Sequence, residues 1–369
     1  MNVFNHARRC LLALFCGAFA IVFFSPSPQL LHAETDAAYG RLITSHAVAV
    51  NPQTHKIYAV DEGADRIVVT DEKSGTSHTI NVGRGPISLA VNPRTNRVYV
   101  VNEGDSSISV IDGSHDAVIA TIAIRPGSNP YVIAADETHN KIYVTNTYSN
   151  ALIVIDGATN AVTRFKTGSA DGIALDSATS TIFLMTYEDP NIRIVNALTG
   201  AMSKVNVGTH LWGITFDKAT GSLYLGHTGT ANVVSVDEKT HAVKTIPVGS
   251  IPCAVAVNPA TQMLYAVNYG SQTLSVINAR TDRVVATLPV GKHPQAVVVD
   301  ALRNRIYVAN VHGNSITAID GAANKVIGTY DAGKNPYDLA VDPASGRVYA
   351  ANYGEPAVTA IDVSQPASR

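Results

Sequence analysis

Val91-Asn92-Pro93-Arg94-Thr95-Asn96-Arg97-Val98-Tyr99-Val100-Val101-Asn102-Glu103-Gly104 joins a proline-led turn, a short apolar run centred on a tyrosine, and a polar Asn-Glu-Gly stop. The same arrangement recurs along the chain. Tyr58, Tyr143, Tyr224, Tyr265, Tyr307 and Tyr349 repeat the central tyrosine, and Phe183 replaces it once. Successive aromatics are separated by 41, 44, 40, 41, 41, 42 and 42 residues. A period near 40 marks a repeat architecture rather than a single long-range fold.

Each unit reads as four short strands separated by turn residues. In the second unit these are Ile87 to Val91, Arg97 to Val101, Ser107 to Ile111 and Ala117 to Ile122. Between them stand Asn92-Pro93-Arg94-Thr95-Asn96, Asn102-Glu103-Gly104-Asp105 and Asp112-Gly113-Ser114-His115. No long segment has a 3.6-residue apolar period, so helices of any size are not expected.

Runs such as Ile142-Tyr143-Val144, Ala254-Val255-Ala256-Val257 and Val297-Val298-Val299 are nearly continuous in apolar residues. Strands of this kind are buried on both faces, as happens when each antiparallel sheet lies between two like sheets in a β-propeller. Polarity rises from first to fourth strand, which places the first at the axis and the fourth at the rim. The expected fold is all-β: one propeller of four-stranded antiparallel blades, eight by the aromatic spacing and seven if one unit is irregular. The last unit ends in Val363-Ser364-Gln365-Pro366, too short for a fourth strand, so Tyr39 to Thr44 is expected to supply it and close the ring.

Asn102, Asn146, Asn268, Asn310 and Asn352 end second strands, where an Asn side chain is expected to bond the backbone ahead and open a turn. Asp112, Asp156, Asp320 and Asp362 end third strands in the same role. Tyr143-Val144-Thr145-Asn146 spells the tetrapeptide YVTN, with Tyr99-Val100-Val101-Asn102 and Tyr307-Val308-Ala309-Asn310 as close variants. The chain therefore resembles the YVTN-repeat family of β-propellers over nearly its whole mature length. That resemblance implies an exported or cell-surface propeller, often without assigned chemistry. The fourth unit departs most, with Ile182-Phe183-Leu184-Met185-Thr186 and no proline at Ala170.

Composition is that of a globular protein: 46% hydrophobic and 15% charged residues, with a formal net charge of -2. This balance gives no overall pull toward nucleic acid or anionic membrane. Residues 1–33 have the layout of a secretory signal peptide. Arg8-Arg9 precede an apolar run from Cys10 to Phe24, and Leu31-His32-Ala33 offers a cleavage site. Residues 34–369 are then one propeller domain with no membrane span, expected in the periplasm, at the cell surface or secreted. Only Cys253 remains in the mature chain, so no internal disulfide, paired-cysteine zinc site or CxxCH haem attachment is expected. No cofactor or metal is assigned.

Function is expected on loops at one end of the axis. Aligned units place His46, Ile87, Tyr131, Asp171, Trp212, Cys253, Gln295 and Tyr337 at one equivalent ring position that varies from blade to blade. The position before it adds Asn129, His210, His293 and Asn335, and the second-to-third loops add Tyr148, Tyr187, His227, Tyr269, His312 and Tyr353. Such a mouth suits sugar rings, peptide side chains or unpaired bases, since flat π-faces accept all three. The favoured reading is a non-enzymatic protein holding an envelope polymer or protein partner there, with single-stranded nucleic acid a weaker choice. The alternative is a lactonase-like hydrolase or lyase using Asp171, Glu188, His210 or His293. Paired histidines of the fifth and seventh units, His210 with His227 and His293 with His312, raise metal binding as a third question.

Overall fold

Antiparallel pairing through short turns converts the repeat into eight sheets. The computed structural model describes residues 46–125, 127–353 and 357–363, all within the unit Leu42–Arg369. Seven sheets have four strands in sequence order and the last has three. Blade two is typical, with strands Pro86–Asn92, Arg97–Asn102, Ser107–Asp112 and Ala117–Ala123. The eight first strands pack one against the next, and Val48–Asn51 of blade one meets Pro336–Val341 of blade eight to close the ring. The regular structure is thus an eight-bladed β-propeller, whose helical content among the described residues is two single 3-10 turns, Glu62–Ala64 and Val311–Gly313. The expected signal peptide, the strand from Tyr39 to Thr44 and the chain after Val363 lie outside the described residues.

The repeating aromatic explains why the sheets stack radially. Tyr58, Tyr99, Tyr143, Phe183, Tyr224, Tyr265, Tyr307 and Tyr349 are all buried in second strands. Each packs onto the next blade: Tyr99 against Ile133 and Ile142, Tyr307 against Leu339 and Val348, and Tyr349 across the closure against Ile57 and Ala59. Burial of one such side chain is worth about 1.5–3 kcal/mol. One ring per interface therefore makes every blade depend on its neighbour.

Burial corrects one expectation. The most enclosed strands are the second ones, such as Arg305–Asn310, and not the continuous apolar first strands. Val297, Val298 and Val299 are only half-buried, because a first strand turns one side to the axial channel while a second strand is covered all round. Fourth strands are the most exposed, as in Ala117–Ala123.

Turn chemistry is borne out for the aspartates and corrected for the asparagines. Asp112 Oδ1 accepts from the Ser114 amide at 2.7 Å, and Asp156 Oδ1 from Ala158 and Thr159. The asparagines instead reach across to the third strand. Asn102 Nδ2 donates to Ser107 and Ser109 Oγ, Asn268 Nδ2 to Thr273 and Ser275, and Asn310 Nδ2 to Ser315 and Thr317. Asn146 alone of these donates to backbone, at Ala151 O. Their place between buried strands leaves too little room for the side chain to fold back on its own turn.

Closure at the eighth interface adds a buried aspartate that bonds from one blade to the next. Asp338, fully buried in the first strand of blade eight, accepts from the amides of Ala47 at 2.6 Å, Val48 at 3.2 Å and Leu339 at 2.9 Å. At the opposite end of the same seam Asp342 Oδ2 meets His55 Nδ1 at 2.8 Å.

Candidate functional site

In an up-and-down blade the second-to-third loops and the connections into each first strand share one side of the ring. The residue leading into the first strand takes a left-handed conformation, with φ of 54° at Asn129, 63° at His210, 49° at His293 and 54° at Asn335. A left-handed residue followed by the rigid start of a strand, often proline, turns the chain sharply from rim to axis. Two of these strained positions are histidines, which fixes their rings at the mouth.

The next residue is the aligned ring position, and the structure divides it in two. In blades two, six, seven and eight the ladder skips Ile87, Cys253, Gln295 and Tyr337, each the extra residue of a β-bulge and each buried. These four do not offer the open, variable surface that the aligned sequences suggest. The Cys253 thiol lies against the carbonyls of Val267, Pro294 and Gln295, and burial pushes it up to about 12, which makes it inert as a nucleophile. Tyr131, Asp171 and Trp212 remain part-exposed, and His46 is exposed beside the buried Asp338. In blade five the irregularity moves to Gly213, where an added Cβ would meet Cys253 O at 2.7 Å.

Rings at the mouth gather in three groups. Tyr187 meets His210 edge-on at 5.2 Å and Trp212 at 6.1 Å, joining blades four and five. Tyr269 stacks on His293 at 4.8 Å, and His293 meets His312 edge-on at 4.5 Å. Their Nδ1 atoms are 2.6 Å apart, so one imidazole donates to the other and at least one of the pair is neutral. Tyr337 and Tyr353 stack at 4.1 Å within blade eight. Tyr148, 54% exposed, stands out from the blade-three loop. Stacked pairs have already covered one face of each ring, leaving the edge-packed set around Tyr187 as the most adaptable.

Blades four and five also carry the charge. The strand-two terminal position that holds the cross-strand asparagine elsewhere is Thr186 in blade four and His227 in blade five. At the third-strand register held by Ser109, Ser275 and Thr317 in blades two, six and seven stands Arg193, paired with Leu184. Its Nη2 donates to Thr186 Oγ1 at 2.5 Å and its Nη1 to Thr167 O at 3.1 Å. Burial lowers the pKa of this guanidinium, against the attraction of Asp189 and Asp171. Asp171 Oδ2 accepts from the Tyr187 amide at 3.0 Å; burial raises its carboxyl, and the Tyr187 bond and Arg193 pull it back only partly. His227 pairs across the ladder with Asn232, and burial, with His210 as a lesser cause, lowers its pKa. Arg193 Nε, Trp212 Nε1 and His227 Nδ1 are buried without a hydrogen-bond partner. Of these, Arg193 escapes the aligned-loop reading because it belongs to a strand; its signal was an arginine in a register held by Ser or Thr in other blades.

Metal-binding geometry does not arise at this mouth among the described residues. His293 and His312 pair with each other and His210 with Tyr187. The only three-residue group able to surround one ion is His55, Glu72 and Asp342, on the opposite side of the ring. No helix of the described residues is long and apolar enough to cross a membrane.

Comparison with known proteins agrees with the fold and stops there. Residues 41–123, spanning blades one and two, match the family described as Lactonase, 7-bladed beta-propeller. No protein of curated function matches the chain in sequence. Among solved structures, Kuenenia stuttgartiensis hydrazine synthase superposes with a TM-score of 0.61 at 15% identity, covering 94% of this chain and 99% of that one. The dihydro-heme d1 dehydrogenase NirN, in complex with DHE, superposes with a TM-score of 0.68 at 13% identity, covering 82% of this chain and 69% of that one. At such identities the likeness is one of fold, and the chain is a β-propeller protein.

Proposed function

We propose that this chain is an exported, YVTN-repeat binding protein that holds an envelope polymer, or a partner presenting similar chemistry, at the mouth over blades four and five. The carrying observation is the coincidence there of three buried nitrogens without a hydrogen-bond partner (Arg193 Nε, Trp212 Nε1 and His227 Nδ1) with the edge-packed rings of Tyr187, His210 and Trp212. Buried polar groups left unsatisfied are rare and call for a partner. A ligand with flat apolar faces and many oxygen acceptors, such as a glycan, satisfies both features. Phosphate-rich polymers fit less well, since the chain has no net positive charge. Passage of the purified chain over cell-wall glycan, peptide and single-stranded DNA resins tests this. Retention on glycan that Trp212→Ala removes is expected; equal retention of wild type and variant on every resin would refute it.

A hydrolase or lyase is the second reading, favoured by the raised carboxyl of Asp171 beside His210 and Tyr187. The partial lactonase match covers blades one and two and not these residues. A panel of lactones and esters, with and without divalent ions, decides it: turnover abolished by Asp171→Asn supports the enzyme, and no turnover removes it.

A further inference from the structure

On the side of the ring away from the mouth, blades one and eight meet through a set of groups that no other interface repeats. His55, in the first-to-second loop of blade one, has a left-handed backbone with φ of 55°. Blades two, three and seven place Asn96, Asn140 and Asn304 in that conformation, and each accepts from an asparagine of the preceding blade: Asn51, Asn92 and Asn258. At the closing interface the asparagine pair is replaced by Asp342 and His55. Glu72, after the third strand of blade one, occupies a position held by Gly113, Gly157, Ala197, Ala279 and Gly321 in five other blades and by Glu238 in blade five, where no histidine among the described residues pairs with it and Thr179 donates to its Oε1 at 2.9 Å.

Donor atoms of His55, Glu72 and Asp342 all lie within 4.8 Å of one another. The Asp342 side chain is fully buried and that of Glu72 only 9% exposed. Glu72 Oε1 is enclosed without a hydrogen-bond partner within bonding geometry, although the carboxyl as a whole lies beside Asp342, Ser345 and Tyr349. Two such carboxylates beside one imidazole are unfavourable without a shared positive charge. Arg347 makes only a long ion pair with Glu72 Oε1, at 3.9 Å, from a side chain that is 39% exposed. A solvent-open cleft of about 330 Å³, lined by these residues with Lys73, Ala344 and Ser345, gives an ion and its waters access.

We propose that His55, Glu72 and Asp342 bind one divalent first-row transition ion, which fastens the last blade to the first. One imidazole and two carboxylates suit Zn²⁺ or Mn²⁺, and the part-filled coordination sphere is completed by water from the cleft. The first and last described blades meet at this interface, so an ion here acts where strands far apart in sequence close the ring.

The test uses chelator-stripped full chain titrated with Zn²⁺ and, separately, Mn²⁺, followed by calorimetry and thermal melting. Two variants borrow residues the chain already uses at the same position: Glu72→Ala, as at Ala197 and Ala279, and His55→Asn, as at Asn96 and Asn140. Both are therefore expected to fold. Wild type should take up a single equivalent of at least one ion and melt at a higher temperature with it. Each variant should bind at least ~10–100-fold more weakly, the loss seen even for outer-shell partners of a metal, and gain no thermal shift. The absence of stoichiometric uptake by wild type overturns the proposal, as does uptake that persists in both variants.

Discussion

Tyr307 shows what a single position in this repeat must do. It is buried in its blade and touches the next one, and the equivalent Phe183 packs equally well without a hydroxyl. Tyr307→Phe should therefore cost less than ~1 kcal/mol, whereas Tyr307→Ala should cost ~3–5 kcal/mol by leaving a cavity at an interface. Urea denaturation midpoints measure both. Asp171 behaves in the opposite sense. Its folded-state pKa is raised by burial, so the folded chain binds more protons than the unfolded chain, and stability is lost as pH rises through that range. Asp171→Asn should raise Tm at pH 7, with the advantage shrinking once the wild-type carboxyl is protonated in acid. Melting the two proteins across pH 3 to 8 checks the sign. His227 adds a further slope. Its lowered pKa means the unfolded state protonates first, so its contribution is full above the ordinary histidine range and falls on acidification.

At the scale of elements, the blade was largely legible before the structure: strand positions, turn aspartates and the buried aromatic all follow from a period of about 40 residues and local residue chemistry. What could not be read was how side chains cross between elements. Asn102 looks like a turn former in sequence, yet it ties strands two and three through Ser109, because a fixed strand pairing and not a local preference chooses its partner. Likewise the aligned ring of eight positions divides by bulge register, which buries Ile87 and Cys253 while leaving Trp212 part-exposed. Arg193 was missed for the same reason, being meaningful only once its side chain is seen to reach Thr186. Substituting both, Thr186→Asn with Arg193→Ser, should rebuild the blade-two tie in blade four. Stability is expected to stay within ~1 kcal/mol of wild type, the usual net worth of one hydrogen bond, while retention on glycan resin falls. Paired denaturation and resin assays separate those effects.

Across the whole propeller, two regions depart from the repeat, and they serve different ends. Blades four and five place three unpartnered nitrogens and a raised carboxyl at the mouth, whereas the blade-eight and blade-one interface collects Asp338 at one end and His55, Glu72 and Asp342 at the other. Ring closure brings together strands far apart in sequence, so this interface should be the first to open. Asp338→Ala would strip the amides of Ala47 and Val48 of their acceptor, at ~1–3 kcal/mol for each orphaned group. Hydrogen exchange should then quicken in Val48–Asn51 and Pro336–Val341 ahead of blades three to six.

Trp212 is the chain's single tryptophan and stands in the mouth against Tyr187, so its fluorescence reports on that site alone. The most direct measurement is its emission during titration of the folded protein with cell-wall glycan fragments. A saturable spectral change that disappears in the Thr186→Asn/Arg193→Ser protein is expected. Fragments that bind the protein while leaving Trp212 emission unaltered would contradict a ligand site at blades four and five.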